Sequence, residues 1–198
     1  MKTIALFFML VFPVVGYCQL LDSLSLDTIT ACTSMHEAMK DTANVLKLDL
    51  SKQKLTEFPK GIRKLTNLQY LDLSKNKITE VPAWIGELKD LQVVVLSKNK
   101  IDSLPPEFGD LSNLKYLIMN RSELQTLPHT IGKLKELRGL DLWGDNMSRF
   151  PYELKEISGN LQTLDLRDVD VSDNAQTYLK GLLPNTIIYF SPGCACEQ

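Results

Sequence analysis

The sequence predicts an α/β fold in which short units, each holding one strand and one helical return segment, stack into a solenoid. Two observations support this prediction. Pro59, Pro82, Pro105, Pro128 and Pro151 are each 23 residues apart. The chain has 34 leucines among 198 residues, and those between these prolines recur mainly at fixed positions. A unit of this length cannot bury enough apolar surface alone, so such units are found in stacked arrays.

Aligning the chain on these prolines gives five full units and one partial unit. The full units span residues 45–67, 68–90, 91–113, 114–136 and 137–160, and the partial unit begins at residue 161. In the second unit, Leu71 and Leu73 are two residues apart, so their side chains lie on one side of a strand. Ile78, Val81 and Ile85 then recur at three- and four-residue spacing, which is the period of a helical return segment.

The repeated pattern reads LxxLxLxxNxLxxLPxxIxxL over residues 45–171. It resembles the leucine-rich repeat family, in the 23-residue class found in bacterial and Ras-suppressor-like proteins. The resemblance implies a curved, right-handed solenoid with parallel strands on its concave face and short helical or irregular return segments. It also implies that the Asn of the pattern forms a ladder of hydrogen bonds to neighbouring backbone.

The chain departs from the family pattern at this Asn position. The residues found there are Gln53, Asn76, Asn99, Ser122, Asp145 and Val169. Because only two of them are Asn, we expect an incomplete ladder, and we expect irregular turns after Met119 and Leu142.

The first 18 residues predict an export signal. Lys2 precedes an apolar run over residues 4–15, and Gly16 and Cys18 lie just before the chain becomes polar. A run of 12 residues is too short to span a membrane, which needs about 20 residues, and the arrangement is typical of a secretory signal peptide. Cleavage after Cys18 is favoured over lipidation of Cys18, because a lipoprotein signal requires a small residue where Tyr17 stands. No other segment of the sequence approaches transmembrane length.

An N-terminal capping segment is predicted over residues 19–44. The two apolar ends of a solenoid have to be covered. Ser34 and Glu37 have the spacing of a capping box. The sequence therefore predicts a short helix over residues 34–41 that docks on the first repeat.

A C-terminal cap and tail are predicted over residues 172–198, after the repeats of residues 45–171. A short helix is expected over residues 173–181 and a final strand over residues 186–190.

Strand residues between the core leucines are expected to point to the concave face. Counted from the first leucine of each unit, these are the third, fifth and seventh positions. Across neighbouring strands they predict one apolar patch, formed by Tyr70, Val93, Val95, Tyr116, Ile118 and Trp143. Exposed apolar patches mark interaction sites, and Trp and Tyr are favoured binding anchors. Strand propensity also explains Val, Ile and Tyr, but not Trp143, since the first three repeats carry Ser at that position.

A row of cations follows the strands along one rim of the predicted solenoid. Its members are Lys52, Lys75, Lys98 and Arg121. Parallel strands lie about 4.8 Å apart, so these cations would stack closely and attract an acidic partner or an anionic glycan. A solvated face that keeps the protein soluble explains the same pattern, and it is the interpretation favoured by the sequence alone.

The sequence offers no catalytic, cofactor or metal site. His36 and His129 fall in the front cap and in the fourth repeat, too far apart for a nucleophile–base pair or a shared metal. Cys194 and Cys196 give at most half of a zinc site. Cys32 lies at the other end of the array, so we expect no disulfide between it and Cys194. A net charge of −2 gives no basic surface for nucleic acid.

These features predict an exported recognition module that is not an enzyme. It would bind a protein or peptide through its concave face, and the cationic rim would steer the approach of an acidic partner. If residues 1–18 are retained, the alternative is an intracellular scaffold or signalling adaptor of the Ras-suppressor type.

Overall fold

The computed structural model describes residue 20 and residues 23–191. The predicted signal segment of residues 1–18, together with Cys194 and Cys196, lies outside the described residues. The α-helices are α1 (Ser23–Thr28), α2 (Met35–Ala38) and α3 (Asp173–Leu182). The strands are β1 (Lys47–Asp49), β2 (Tyr70–Asp72), β3 (Val93–Val95), β4 (Tyr116–Ile118), β5 (Gly139–Asp141), β6 (Thr163–Leu166) and β7 (Ile187–Phe190). The 3-10 helices are Lys60–Lys64, Ala83–Glu87, Pro106–Asp110, His129–Lys133 and Tyr152–Ile157.

The seven strands form one parallel sheet in chain order, from β1 to β7. Each of the first five strands is followed by a 3-10 helix that begins directly after one of the repeat prolines. The register places equivalent repeat positions side by side, as where Tyr70 lies beside Val93 and Val93 beside Tyr116. The predicted α/β leucine-rich repeat solenoid is therefore confirmed.

The core lies between the sheet and the 3-10 helices. In β1 to β4, the middle residue of each strand is buried and its two neighbours are half-buried. The middle residues Leu48, Leu71, Val94 and Leu117 are 0% exposed, and each such side chain contributes about 2 kcal/mol of burial. The alternation leaves the third and fifth positions of every unit on the opposite, accessible side of the sheet.

The front cap differs from its prediction in length and in its hydrogen bonds. Helix α2 covers four residues instead of residues 34–41. Ser34 Oγ accepts a hydrogen bond from the backbone N–H of His36, and Glu37 pairs with Lys40 instead of returning to Ser34. The capping box is therefore not formed, because the exposed Lys40 offers Glu37 an opposite charge. Helix α1 was not predicted, since its six residues are too few to show a helical period.

The front edge of the sheet is covered by the segment before α2. The backbone N–H of Cys32 donates to Lys47 O at 2.9 Å, and the N–H of Asp49 donates to Cys32 O at 2.8 Å. Cys32 is a free thiol within the described part of the chain. In the same N-terminal cap, Met35 of α2 packs against the core next to Gly61 of the first repeat, as expected for a helix that docks on this repeat.

The back cap contains both predicted elements. Helix α3 begins after Ser172, whose Oγ accepts a hydrogen bond from Ala175 N, and it buries Leu179 and Leu182. Strand β7 continues the sheet in register, with Tyr189 beside Asp165.

The Asn ladder is present where the sequence has Asn. Asn99 Nδ2 donates to Leu73 O at 3.0 Å and to Leu96 O at 2.8 Å, and its Oδ1 accepts from Ile78 N at 3.0 Å. Asn76 makes the equivalent bonds one repeat earlier. Each Asn side chain thus links three stretches of buried backbone.

The ladder is incomplete in the following two repeats, as expected. Ser122 Oγ donates to Leu96 O at 3.0 Å and replaces one bond of the missing Asn. Asp145 Oδ1 accepts from Ser122 N at 2.5 Å. Asp145 Oδ2 is buried and has no hydrogen-bond partner in the described structure.

The turns after Met119 and Leu142 are nevertheless regular, contrary to expectation. The eighth position keeps a left-handed backbone in both repeats, with φ of 55° at Arg121 and 70° at Gly144. Their N–H groups donate to the next repeat at Trp143 O and Arg167 O, both at 2.8 Å. The hydrogen bond between repeats maintains the turn. Glu123 is also left-handed, with φ of 77°, as is Lys54 at the same position of the first repeat.

Candidate functional site

The concave face is formed by the third- and fifth-position side chains of β1 to β7. The third positions form one row: Lys47, Tyr70, Val93, Tyr116, Gly139, Thr163 and Ile187. The fifth positions form a parallel row: Asp49, Asp72, Val95, Ile118, Asp141, Asp165 and Tyr189. Five of the six residues of the predicted apolar patch lie together on β2 to β4, and the sixth, Trp143, lies beyond the end of β5.

The aspartates of the fifth positions have a structural role that the sequence analysis missed. They are Asp49, Asp72, Asp141 and Asp165. Each accepts a hydrogen bond from the backbone N–H two residues later, at distances from 2.7 to 3.1 Å. An Asp placed two residues before a turn is the signal in the sequence that could have predicted this side-chain to backbone hydrogen bond. Val95 and Ile118 cannot accept this hydrogen bond, so the apolar middle of the face coincides with two strands that lack it.

The concave face contains a cavity of about 240 Å³ between β4 and β7. Tyr116 and Tyr189 lie at its two ends, Gly139 and Thr163 lie between them, and Asp141 and Asp165 complete the lining. The cavity is located at Gly139, the one third position without a side chain. The cavity could not be predicted from the sequence, because the repeat pattern does not show that the final strand, which carries Tyr189, continues the same sheet.

Gly139 is required by the position of the Tyr116 ring. A Cβ at residue 139 would lie 2.8 Å from Tyr116 Cδ1 and 3.4 Å from Thr163 Oγ1. The ring therefore leans over Gly139 and forms one wall of the cavity.

Cations contact three of the four aromatic side chains on or beside the concave face. Lys47 Nζ lies 4.7 Å from the centre of the Tyr70 ring, and Lys47 Nζ also donates to Leu26 O. Arg167 Cζ lies 5.7 Å from the centre of the Tyr189 ring. The third pair is Arg121 with Trp143. Of these four aromatic side chains, Tyr116 is the one that no described cation contacts.

The charges at the two ends of the concave face change the pKa values of its side chains. Partial burial and then the carboxylates of Asp72, Asp49 and Asp27 raise the pKa of Tyr70. Partial burial raises the pKa of Asp165, but the hydrogen bonds and charge of Arg167 outweigh it and leave that pKa below its ordinary value. Of these carboxylates, only Asp165 forms an ion pair within the described part of the chain.

Trp143 lies beside the rim and not among the residues that line the cavity. Arg121 Cζ is 4.1 Å from the centre of its ring, and its Nε1 donates to Asp168 Oδ2 at 2.8 Å. Trp143 therefore joins three successive repeats, which gives this residue a structural explanation. Its predicted role as a binding anchor stays a prediction.

The cationic rim consists of exposed side chains on a left-handed backbone. Lys52, Lys75, Lys98 and Arg121 have φ between 55° and 59°. Their N–H groups donate to carbonyl oxygens of the following repeat. None of the four forms an ion pair with a described residue, so the charge of the rim is not neutralised by the solenoid itself.

The described residues contain no group of three or more His, Cys, Asp or Glu side chains that could hold a metal. His36 lies in α2 and His129 begins the fourth 3-10 helix, so they do not come together. No helix within residues 23–191 is long and apolar enough to cross a membrane.

The repeat geometry agrees with the comparisons with known proteins. The family model of a leucine-rich repeat region matches residues 25–185. The chain belongs to the leucine-rich repeat family. Members of this family are in general non-catalytic modules that bind proteins or peptides. No curated protein matches the chain.

Solved structures similar to this chain are leucine-rich repeat proteins. A leucine-rich repeat protein from Leptospira interrogans is 27% identical, with a TM-score of 0.62, over 83% of this chain and 49% of that protein. Internalin C2 from Listeria monocytogenes is 25% identical, with a TM-score of 0.66, over 77% of this chain and 64% of that protein. The chain thus spans about half to two thirds of the length of these bacterial proteins.

A plant relative has been solved as a complex. The ectodomain of the Arabidopsis thaliana membrane receptor kinase GASSHO1/SCHENGEN3 is 28% identical, with a TM-score of 0.58, over 68% of this chain and 17% of that protein. That structure contains CASPARIAN STRIP INTEGRITY FACTOR 2.

Proposed function

We propose that this protein is an exported recognition module that binds a protein or peptide ligand along its concave face. The observation that carries the proposal is the uninterrupted accessible surface from Tyr70 to Ile118, which continues into the cavity at Gly139. Side chains of the third and fifth positions on β2 to β4 are half-buried and make few polar contacts, so a ligand can displace water from them at low cost.

The family supports this kind of function. Leucine-rich repeat arrays offer one extended sheet face, which suits an extended ligand that contacts several repeats. The plant relative, solved with a bound factor, shows that a similar array is used for binding in that protein.

Binding can be tested by selecting peptides from a displayed random library against the purified protein. Tyr116→Ala removes a concave-face ring, and Tyr152→Ala is a matched control on the 3-10 helix side, where Tyr152 is 61% exposed. We expect selected peptides to lose at least about tenfold in affinity for Tyr116→Ala, which corresponds to about 1.4 kcal/mol, and to bind Tyr152→Ala unchanged. Peptides that respond to Tyr152→Ala and not to Tyr116→Ala would overturn the proposal.

Trp143→Ala belongs in the same set of variants. Unchanged affinity would remove Trp143 from the binding surface and leave it with its contacts to Arg121 and Asp168. A loss of affinity has to be separated from a structural effect. Asp168→Ala provides the control, because it removes the hydrogen bond of Trp143 and leaves the ring in place.

Export is the second part of the proposal, and it is supported by the signal-like pattern of residues 1–18. N-terminal sequencing of the protein from its native source tests it directly. A start at Gln19 is expected. A retained Met1 would favour the alternative, an intracellular scaffold or signalling adaptor.

A further inference from the structure

We propose that the cavity at Gly139 binds a cationic side chain, Arg or Lys, of the ligand. This inference rests on the proposed function and identifies the chemistry of one subsite within it. The ligand cation would lie against the Tyr116 ring and pair with the carboxylate of Asp141.

The chain itself contains the arrangement that this ligand would copy. At the β7 end of the cavity, Arg167 forms an ion pair with Asp165 and lies 5.7 Å from the centre of the Tyr189 ring. A carboxylate and a tyrosine ring thus hold one guanidinium together. A carboxylate and a tyrosine ring, Asp141 and Tyr116, also line the other side of the cavity, although on β4 and β5 the two are not direct register neighbours. No described cation forms an ion pair with Asp141 or contacts the Tyr116 ring.

The carboxylates of the cavity are not balanced by charge. Asp141 and Asp165 lie side by side in register on β5 and β6. Arg167 neutralises Asp165. Asp141 Oδ2 accepts a hydrogen bond from the neutral amide of Asn120 at 2.7 Å, and its Oδ1 accepts from Trp143 N at 3.1 Å. No described residue forms an ion pair with Asp141. The charge of Arg167 reaches Asp141 only across a longer distance, so this carboxylate can still pair with a cation of the ligand.

The size of the cavity suits the head group of such a side chain. The volume of about 240 Å³ exceeds that of several water molecules, which occupy about 30 Å³ each. Gly139 lets the Tyr116 ring lean over β5, and the ring provides a face for a cation–π contact. Arg is favoured over Lys because a planar guanidinium can stack on the ring and reach the carboxylate together.

The test uses N-acetyl-arginine amide as the probe and N-acetyl-citrulline amide as its neutral isostere. Each is titrated into the ¹⁵N-labelled protein at constant ionic strength, and amide shifts are followed by NMR. We expect saturable shifts at Gly139 and Asp141 with the arginine probe, and binding of the citrulline probe that is weaker by about fivefold or more.

Two variants and a matched control locate the effect. Asp141→Asn keeps an oxygen that can accept the hydrogen bond from Trp143 N. It should lower the affinity for the arginine probe to that for the citrulline probe. Asp72→Asn is the control. Asp72 accepts the equivalent backbone hydrogen bond in the second repeat, and the ring of the nearby Tyr70 is already in contact with Lys47. Gly139→Val introduces the residue type of the third repeat and should block the probe, because its side chain would displace the Tyr116 ring that forms one wall of the cavity.

The results separate the subsite from the proposed function. Equal binding of both probes, or equal loss in Asp141→Asn and Asp72→Asn, would overturn the cationic subsite. Library peptides that need Tyr116 but carry no Arg or Lys would overturn the subsite and leave concave-face binding standing. Arginine binding at Gly139 without any concave-face peptide would support the subsite and contradict the broader function.

Discussion

Asp145 occupies the ladder position where two earlier repeats have Asn, and it makes only part of their hydrogen bonds. Burial raises the pKa of this carboxyl to about 7, and the charge of Asp141 adds to the rise. Hydrogen bonds from the backbone N–H groups of Ser122, Leu124 and Glu123 oppose the rise but are outweighed. Asn99 shows what the missing amide does, because its Nδ2 donates to two backbone carbonyls.

Asp145→Asn is therefore expected to stabilise the protein at pH 8 by about 1 kcal/mol, through a restored hydrogen bond in place of a buried charge. The folded state holds the proton of Asp145 up to a pH of about 7, whereas an unfolded aspartate loses it near pH 3.9. The stabilising contribution of the protonated form is present below that lower pH and is lost as the pH rises towards 7.

Urea unfolding at pH 4.5 and at pH 8 measures this difference. The gain from Asp145→Asn should be small at the lower pH and larger at the higher pH. The exposed residue Asp102 gives the control Asp102→Asn, for which no such difference is expected. An equal gain for Asp145→Asn at both pH values would show that the proton on Asp145 is not responsible.

Individual residues also show what could not be predicted from the sequence. Trp143 is the one aromatic residue at a seventh position, and the contacts of its ring with Arg121 and Asp168 depend on neighbouring repeats. The cavity at Gly139 escaped notice because its walls come from strands three positions apart in the sheet. A single repeat shows neither feature, since both depend on side chains of other repeats.

The strands and return segments could be predicted because their spacing is dictated by burial. Leucines two residues apart and a proline every 23 residues allow only one stacking register. The ends were predicted less well. Strand β7 lies 24 residues after β6, the length of the fifth unit, and this equality was the available signal. Helix α1 has no comparable periodicity, and its burial of Leu26 depends on tertiary packing alone.

The glycines of the 3-10 helices allow neighbouring repeats to approach closely. A Cβ at Gly109 would lie 2.3 Å from Thr130 O, and one at Gly86 would lie 2.3 Å from Glu107 O. These contacts are with backbone, which cannot rotate away as a side chain can. The glycines that recur with the repeat are thus part of the packing between repeats.

Gly109→Ala is expected to destabilise the protein by about 1–3 kcal/mol, the usual cost of overpacking. The free energy of unfolding in urea measures the effect. Gly159→Ala is the matched control, because a Cβ there would have nothing within 4 Å, and it should change the stability little. Equal effects of the two substitutions would mean that the contact between repeats is not responsible, because the entropy of the unfolded chain alone favours alanine over glycine.

At the scale of the whole molecule, the rim is the largest charged feature that local structure does not explain. Its positions need a left-handed backbone, which Gly, Asn and Asp adopt more readily than Lys. The later repeats follow that preference, with Gly144 and Asp168 at the equivalent position. Lys52, Lys75 and Lys98 do not, and because the backbone does not favour lysine, its charge is what sets these positions apart.

Substitution of two rim lysines tests whether this charge attracts an acidic partner. A fluorescent oligoglutamate peptide serves as the probe, and its affinity is measured by anisotropy. Lys75→Gln with Lys98→Gln should weaken binding about threefold or more at 0.01 M salt, where the Debye length is about 30 Å. The loss of affinity should be smaller at 0.15 M salt, where that length is about 8 Å.

Lys60→Gln with Lys64→Gln is the control, because it removes the same charge from the first 3-10 helix, outside the rim. If both pairs lose affinity equally, the net charge of the protein governs the attraction. A larger loss for the rim pair would mean that the spacing of charges along successive strands concentrates the field at one edge of the concave face.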